Sequence, residues 1–227
     1  MRMNKEKITG KYEGYNLLNI DRKTGEEMVF YKEYLDKLIK LFNTAITTMN
    51  RPHVIHLRLK LEDGIKLKEV MDRIVKHFRY VSRKVEPENL RYHDDRPMYL
   101  VKREIDSSQD GEHYHIAFVS DQWKTRNPYY TLDEIMARMQ TEGIVKHFMI
   151  PEANLAETYP FDGKKLKSLP LLKYKEKAVY WLSYLCKVRS TINKQKCCWL
   201  GGIKGRKPIN RRSQHDQAQR PTLNLVF

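Results

Sequence analysis

The stretch Val54-Ile-His-Leu-Arg-Leu-Lys-Leu61 decides the architecture. Ile55, Leu57, Leu59 and Leu61 alternate with His56, Arg58 and Lys60. Successive strand side chains point to opposite faces, so this alternation predicts a half-buried β-strand. Downstream, Leu67, Val70, Ile74, Phe78 and Val81 recur at three- and four-residue steps, with Met71 and Val75 on the same flank, which predicts an amphipathic helix over 65–84. A polar, proline-containing loop follows. Segments 98–105 and 113–120 are rich in strand formers, and the run Asp106-Ser-Ser-Gln-Asp-Gly-Glu112 between them predicts a hairpin. Thr131 with Glu134 three residues on reads as a capping box opening a helix over 132–140, which Gly143 stops. A further strand is predicted over 144–150.

The resulting order β, α, β, β, α, β predicts an α+β fold of the ferredoxin-like, split βαβ type. Two helices would cover one face of an antiparallel sheet and leave the other open for a catalytic site. Upstream, Phe30, Tyr34, Leu38, Leu41, Phe42, Ala45 and Met49 predict an amphipathic helix, and 1–29 reads as an irregular lead-in. Residues 151–170 carry Pro151, Pro160, Gly163 and Pro170 and read as a loop or flap. A last helix is predicted over 172–192, and beyond it Gly201, Gly202, Gly205 and Pro208 break regular structure. The expected organisation is an N-terminal helical extension (1–50), a main domain (51–192) and a mobile basic tail (193–227).

Composition agrees with a folded chain: of 227 residues, 41% are hydrophobic and 11% aromatic, which excludes a disordered or collagen-like class. The net charge is +15, and it is concentrated: 164–212 holds 15 basic residues against one acidic residue, Glu176, while the rest carries 28 against 27. Such a block attracts polyanions, with nucleic acid ahead of an anionic membrane surface. Its candidate phosphate contacts are Lys173, Lys175, Lys177, Arg189, Lys194, Lys196, Lys204, Arg206 and Lys207. The uncharged stretch 178–186 falls far short of the roughly 20 residues that span a bilayer, so no membrane span is expected. A charged N-terminus without an apolar segment predicts no secretory signal, and Cys186, Cys197 and Cys198 form no disulfide framework, so a reducing cytoplasm is expected.

His113 and His115, two apart on a strand, would emerge on one face roughly 6.5 to 7 Å apart, while Tyr114, Ile116 and Phe118 face the other way. A symmetric turn places Glu104 opposite His113, giving a two-histidine, one-carboxylate set with positions left for water and substrate oxygens. His53 and His56 are an odd step apart and read as weaker candidates. His77, His93, His147 and His215 read as structural or surface residues. The adjacent Cys197 and Cys198 lack the spacing of a zinc site. Further on, Tyr180 and Tyr184 are four apart, about 40° around a helix and roughly 6 Å along it. Lys187 follows Tyr184 by three. A tyrosine hydroxyl with a pKa of about 10 attacks poorly without help, which a divalent cation and Lys187 can supply. Taken singly, the histidines also read as ordinary surface groups and the tyrosines as core aromatics.

Together these residues resemble the HUH endonuclease superfamily, specifically rolling-circle replication initiators, and most closely the inovirus-type phage and prophage replication proteins. His113-Tyr-His115 is similar to the His-hydrophobe-His motif, Arg103-Glu-Ile-Asp106 resembles the strand before it, and Ser183-Tyr-Leu-Cys-Lys187 resembles the Tyr-x-x-Lys helix. The resemblance spans 52–191. It implies a nick in single-stranded DNA at a replication origin, a tyrosine joined to the 5′-phosphate, a free 3′-hydroxyl, and magnesium or manganese as the metal. It implies Tyr184 as nucleophile, Tyr180 as a second tyrosine, and the cytoplasm of a bacterial host. Gly201-Gly-Ile-Lys-Gly-Arg-Lys207 lacks the Walker spacing, so unwinding and synthesis would fall to a host helicase and polymerase. Two other readings share the scaffold: a noncatalytic single-strand-binding protein, and a transposase or relaxase.

Overall fold

A computed structural model describes residues 6–18, 20, 25–85, 96–106, 111–122, 127–153, 167–188 and 198–209. The fold is mixed α+β. The alternating stretch forms the central strand β5 (Pro52–Leu61), preceded by four two-residue strands, β1 (Lys7–Ile8), β2 (Lys11–Tyr12), β3 (Tyr15–Asn16) and β4 (Phe30–Tyr31), and by helix α1 (Lys32–Thr48). After β5 come α2 (Leu67–Val85), β6 (Met98–Asp106), β7 (Gly111–Asp121), α3 (Pro128–Thr141) and β8 (Val145–Met149). β9 (Leu169–Pro170), α4 (Leu171–Leu182), a 3-10 turn (Ser183–Cys186) and β10 (Cys198–Gly201) complete the described chain. The main sheet runs β10-β6-β7-β5-β8, with β9 also pairing β5, and each of these pairs is antiparallel.

Each face of this sheet has its own core. Ile55, Leu57 and Leu59 of β5 and Ile116 and Phe118 of β7 pack with Val70, Ile74 and Phe78 of α2 and Leu132 and Met136 of α3. The Phe78 and Phe118 rings lie 4.9 Å apart, and each fully buried side chain of this size contributes roughly 1.5 to 3 kcal/mol. On the opposite face Val54, Met98, Leu100, Ala117 and Val119 meet Leu38, Leu41 and Phe42 of α1 and Ala178, Val179 and Leu182 of α4. The expected open face is therefore covered over much of its area. α1 belongs to the central core, and its first N–H is taken by the lead-in, Lys32 N to Glu6 O at 3.0 Å.

Three local expectations change. Helix α3 starts three residues before Thr131: Asn127 is the N-cap, accepting from Tyr130 N at 3.5 Å, and Pro128 follows where its missing N–H costs nothing. Thr131 is buried within the helix. The late helix ends at Leu182, and Lys187 and Val188 continue as extended chain against Phe30 and Val29, with Val188 N to Val29 O at 2.8 Å. Residues 198–209, expected in a mobile tail, are ordered parts of the fold. β10 pairs with β6, and Ile209 N reaches Thr47 O at 2.9 Å. The unassigned Gly201-Gly202 pair explains itself here, because a Cβ on Gly201 would lie 2.3 Å from the Tyr99 ring and one on Gly202 2.3 Å from Pro97 O.

Candidate metal centre

Pairing of β6 with β7 sets Glu104 directly opposite His113, the register expected from a symmetric turn. Side chains at 104, 113 and 115 share the face on which α1 and α4 sit, beyond the part those helices cover. Glu104 Oε2 lies 3.5 Å from His113 Nε2 and 3.3 Å from His115 Nε2, and all three residues are buried. Their three ligand atoms fall within 4.8 Å of one another, a group that can hold a metal ion. The donor chemistry fits, since two imidazole nitrogens and one carboxylate suit a divalent ion with positions to spare. His113 Nδ1 faces Gly111 O at 3.4 Å. An N–H there leaves the Nε2 lone pair for a metal.

Electrostatics favour the charge state a cation requires. Burial works to raise the Glu104 carboxyl, but hydrogen bonds from His113 and His115, with the positive charge of Lys187 nearby, outweigh it and hold the group well below the usual carboxylate range. Burial lowers His115 against the pull of Glu104, so its ring stays neutral and able to ligate.

The outer edge of His115 carries the second half of the site. The Tyr184 hydroxyl makes a short hydrogen bond with His115 Nδ1 and lies 3.0 Å from His56 Nε2, and His56 Nε2 is 3.1 Å from His115 Nδ1. If Nε2 of His115 is kept for a metal, its Nδ1–H donates to the phenol oxygen. The phenol hydrogen then points to His56 Nε2. Burial, with the nearby Glu104 charge, pushes the Tyr184 phenol well above its ordinary value, and Arg58 opposes the rise. Burial holds His56 well below its own. His56 is the member of this cluster that sequence reasoning set aside. The signal was available: it shares parity with Arg58 and Lys60 on the polar face of β5, and β5 lies beside β7 with His56 paired to Ala117.

Tyr184 reaches this place from the 3-10 turn, because the helix breaks before it. Ser183, fully buried, accepts from Leu18 N at 3.0 Å and donates to Tyr180 O at 2.8 Å, fixing the break. Lys187 Nζ lies 5.4 Å from the Tyr184 ring centre. The buried Lys102 holds the Lys187 carbonyl at 2.8 Å. Tyr180 is half-buried, and among the described residues no hydrogen bond or ring contact joins it to the cluster. The shared helical face expected for Tyr180 and Tyr184 is lost with the helix.

The basic residues scatter. Lys173 and Lys177 lie over the Tyr174 ring at 5.1 and 5.2 Å, and Lys175 lies 5.0 Å from the Tyr15 ring centre. Arg206 is committed to backbone, donating to Gly202 O at 2.7 Å and to Arg96 O, so its expected phosphate role is replaced by a structural one. Lys204 and Lys207 are exposed. Arg189, Lys194, Lys196 and Cys197 lie outside the described residues. No described helix is long and apolar enough to cross a membrane. Comparison with known proteins finds no family model and no curated protein that matches the chain.

Proposed function

We propose that this chain is a metal-dependent nickase and strand transferase for single-stranded DNA that initiates rolling-circle replication, working through a tyrosine joined to the 5′-phosphate. The observation that carries the reading is the hydrogen bond between the Tyr184 hydroxyl and the outer nitrogen of His115, which ties the one nucleophile to the metal-ligand set. The sheet order supports it too: β8-β5-β7-β6 is the order 4-1-3-2 that a ferredoxin-like split βαβ unit would have.

Magnesium or manganese held by Glu104, His113 and His115 would supply Lewis-acid polarisation of the scissile phosphate. The chain's own groups do the rest. At rest the phenol of the half-buried Tyr184 is neutral and oriented by His115 and His56. In the transfer, its oxygen bonds to phosphorus while the bond from phosphorus to the 3′-oxygen breaks. The phenol hydrogen leaves along its contact with His56 Nε2, and the departing 3′-oxygen takes up a proton. Lys187, beside both Tyr184 and Glu104, adds positive charge as the phenol loses its proton. Tyr180 takes no part in the first transfer.

Incubation with origin-containing single-stranded DNA and manganese should give a denaturant-resistant adduct, seen as an increase in intact protein mass. Tyr184→Phe should abolish it and Tyr180→Phe should spare it. An adduct undiminished in Tyr184→Phe sinks the assignment, and binding without any adduct favours the noncatalytic single-strand-binding reading.

A further inference from the structure

The half of β5 that α1 and α4 leave uncovered carries two cations beside the site, Arg58 and Lys60. From Pro52 to Leu57 every residue of β5 is buried, but Arg58 and Lys60 are half-buried, and their strand parity puts them on the metal-centre face. Arg58 pairs across β7 with His115 and across β8 with Met149, while Lys60 pairs with His147. Directly paired residues point to the same side, so His115, Arg58 and Met149 form one row. Lys60 reaches the other way along the site, since its Nζ would stand 3.9 Å from a Cβ placed on Gly111, the residue whose carbonyl faces His113. One cation thus neighbours His115 and the other neighbours His113. Beyond them β8 is a sheet edge in the described fold, and His147 and Met149 are exposed, Met149 at 42%.

We infer that single-stranded DNA enters across the β5–β8 side of the sheet, with Arg58 and Lys60 gripping the phosphates that flank the scissile one. The choice of single-stranded DNA rests on the nickase reading, and the path rests on coverage and charge. α1 lies over β6 and β10, and α4 over the early part of β5. The β8 side is therefore the approach these helices do not obstruct. A guanidinium offers a planar fork that matches phosphate oxygens, and its field already reaches Tyr184, His115 and His56. The lysines of α4, by contrast, lie against the Tyr174 and Tyr15 rings. They add general attraction and do not set the path.

The test is equilibrium binding of a labelled single-stranded oligonucleotide pool by the full chain in EDTA, so that no cleavage intervenes, over a series of salt concentrations. Arg58→Ala and Lys60→Ala should each weaken binding on the order of tenfold at low salt and reduce the salt slope by about 0.7, the value for one lost phosphate contact on a single strand. Arg58→Lys should keep the slope, and Lys173→Ala should weaken binding less than either. Lys60→Ala removes a half-buried side chain and guards against misfolding of the Arg58 variants. If both alanine variants bind like the unaltered chain, the inferred path is wrong, even where the manganese-dependent adduct still forms. If the path variants fail to bind while the unaltered chain binds but yields no adduct, the surface stands and the nickase reading falls.

Discussion

At the scale of single residues, the site is a division of labour between the two edges of one imidazole. His115 turns Nε2 to Glu104 and Nδ1 to Tyr184 and His56, so any ion at the triad is coupled to the Tyr184 phenol through a rigid ring. A metal that binds only the folded chain must stabilise it, by about 2.7 kcal/mol at one hundred times its dissociation constant. For a chain of this size that is a rise in Tm of roughly 5 to 10 °C. Manganese should raise the Tm of the unaltered chain and leave that of Glu104→Ala unmoved. Protons compete with metal for imidazole, and burial holds His115 below the ordinary value of about 6.5. The manganese shift should therefore persist as pH falls to that value and fade only below it. A shift that survives in Glu104→Ala would place the ion elsewhere.

Among the elements, the decisive one is the break between α4 and its 3-10 turn. Four residues of continuous helix would have set Tyr180 and Tyr184 on one stripe; the break instead sends Tyr184 alone into the histidines. Ser183 holds that break, and Ser183→Ala strands the Leu18 N–H, a loss of about 1 to 3 kcal/mol. Urea unfolding should show that loss, and adduct formation should slow by more than stability alone explains, because Tyr184 is the next residue. Unchanged adduct kinetics in a destabilised Ser183→Ala would separate the break from the chemistry. Here the limits of sequence reading become physical. Alternation in β5 and β7 is a property of single strands, and together with a symmetric turn between β6 and β7 it located the histidine face and the Glu104–His113 register without tertiary information. The break depends on a hydroxyl meeting a backbone N–H 165 residues away, and no local pattern encodes such a contact. His56 lies between: its parity was legible, but its importance needed the lateral order of β5 and β7. At α3 the cap is Asn127, and Thr131, read as the cap from its spacing to Glu134, is packed inside the helix at 7% exposure with its hydroxyl donating to Asn127 O.

For the whole molecule, the question is what a sheet with two buried faces needs in order to fold. The segment read as an extension supplies one of the two covers. Tyr34, Leu38, Leu41, Phe42 and Ala45 of α1 lie at or near zero exposure against Met98, Leu100, Ala117 and Val119. Amphipathicity showed that α1 must bury a stripe, but not what it would bury against, and the apolar residues on the histidine face of β6 and β7 were the missing complement. A chain beginning at residue 51 would expose both surfaces to water. Leu38→Ala, which opens a cavity without removing the helix, should cost about 2 to 5 kcal/mol. The truncated chain should lose cooperative unfolding altogether, and with it the manganese-dependent rise in Tm, because Lys102 and the Lys187 carbonyl it holds are packed beneath α1, with Lys102 Nζ 5.4 Å from the Tyr34 ring centre. Circular dichroism in the near and far ultraviolet, followed through a thermal melt, decides this. A sharp melt in the truncated chain, still raised by manganese, would mean that the segment from β5 onward sustains the metal centre by itself and that α1 only shields it.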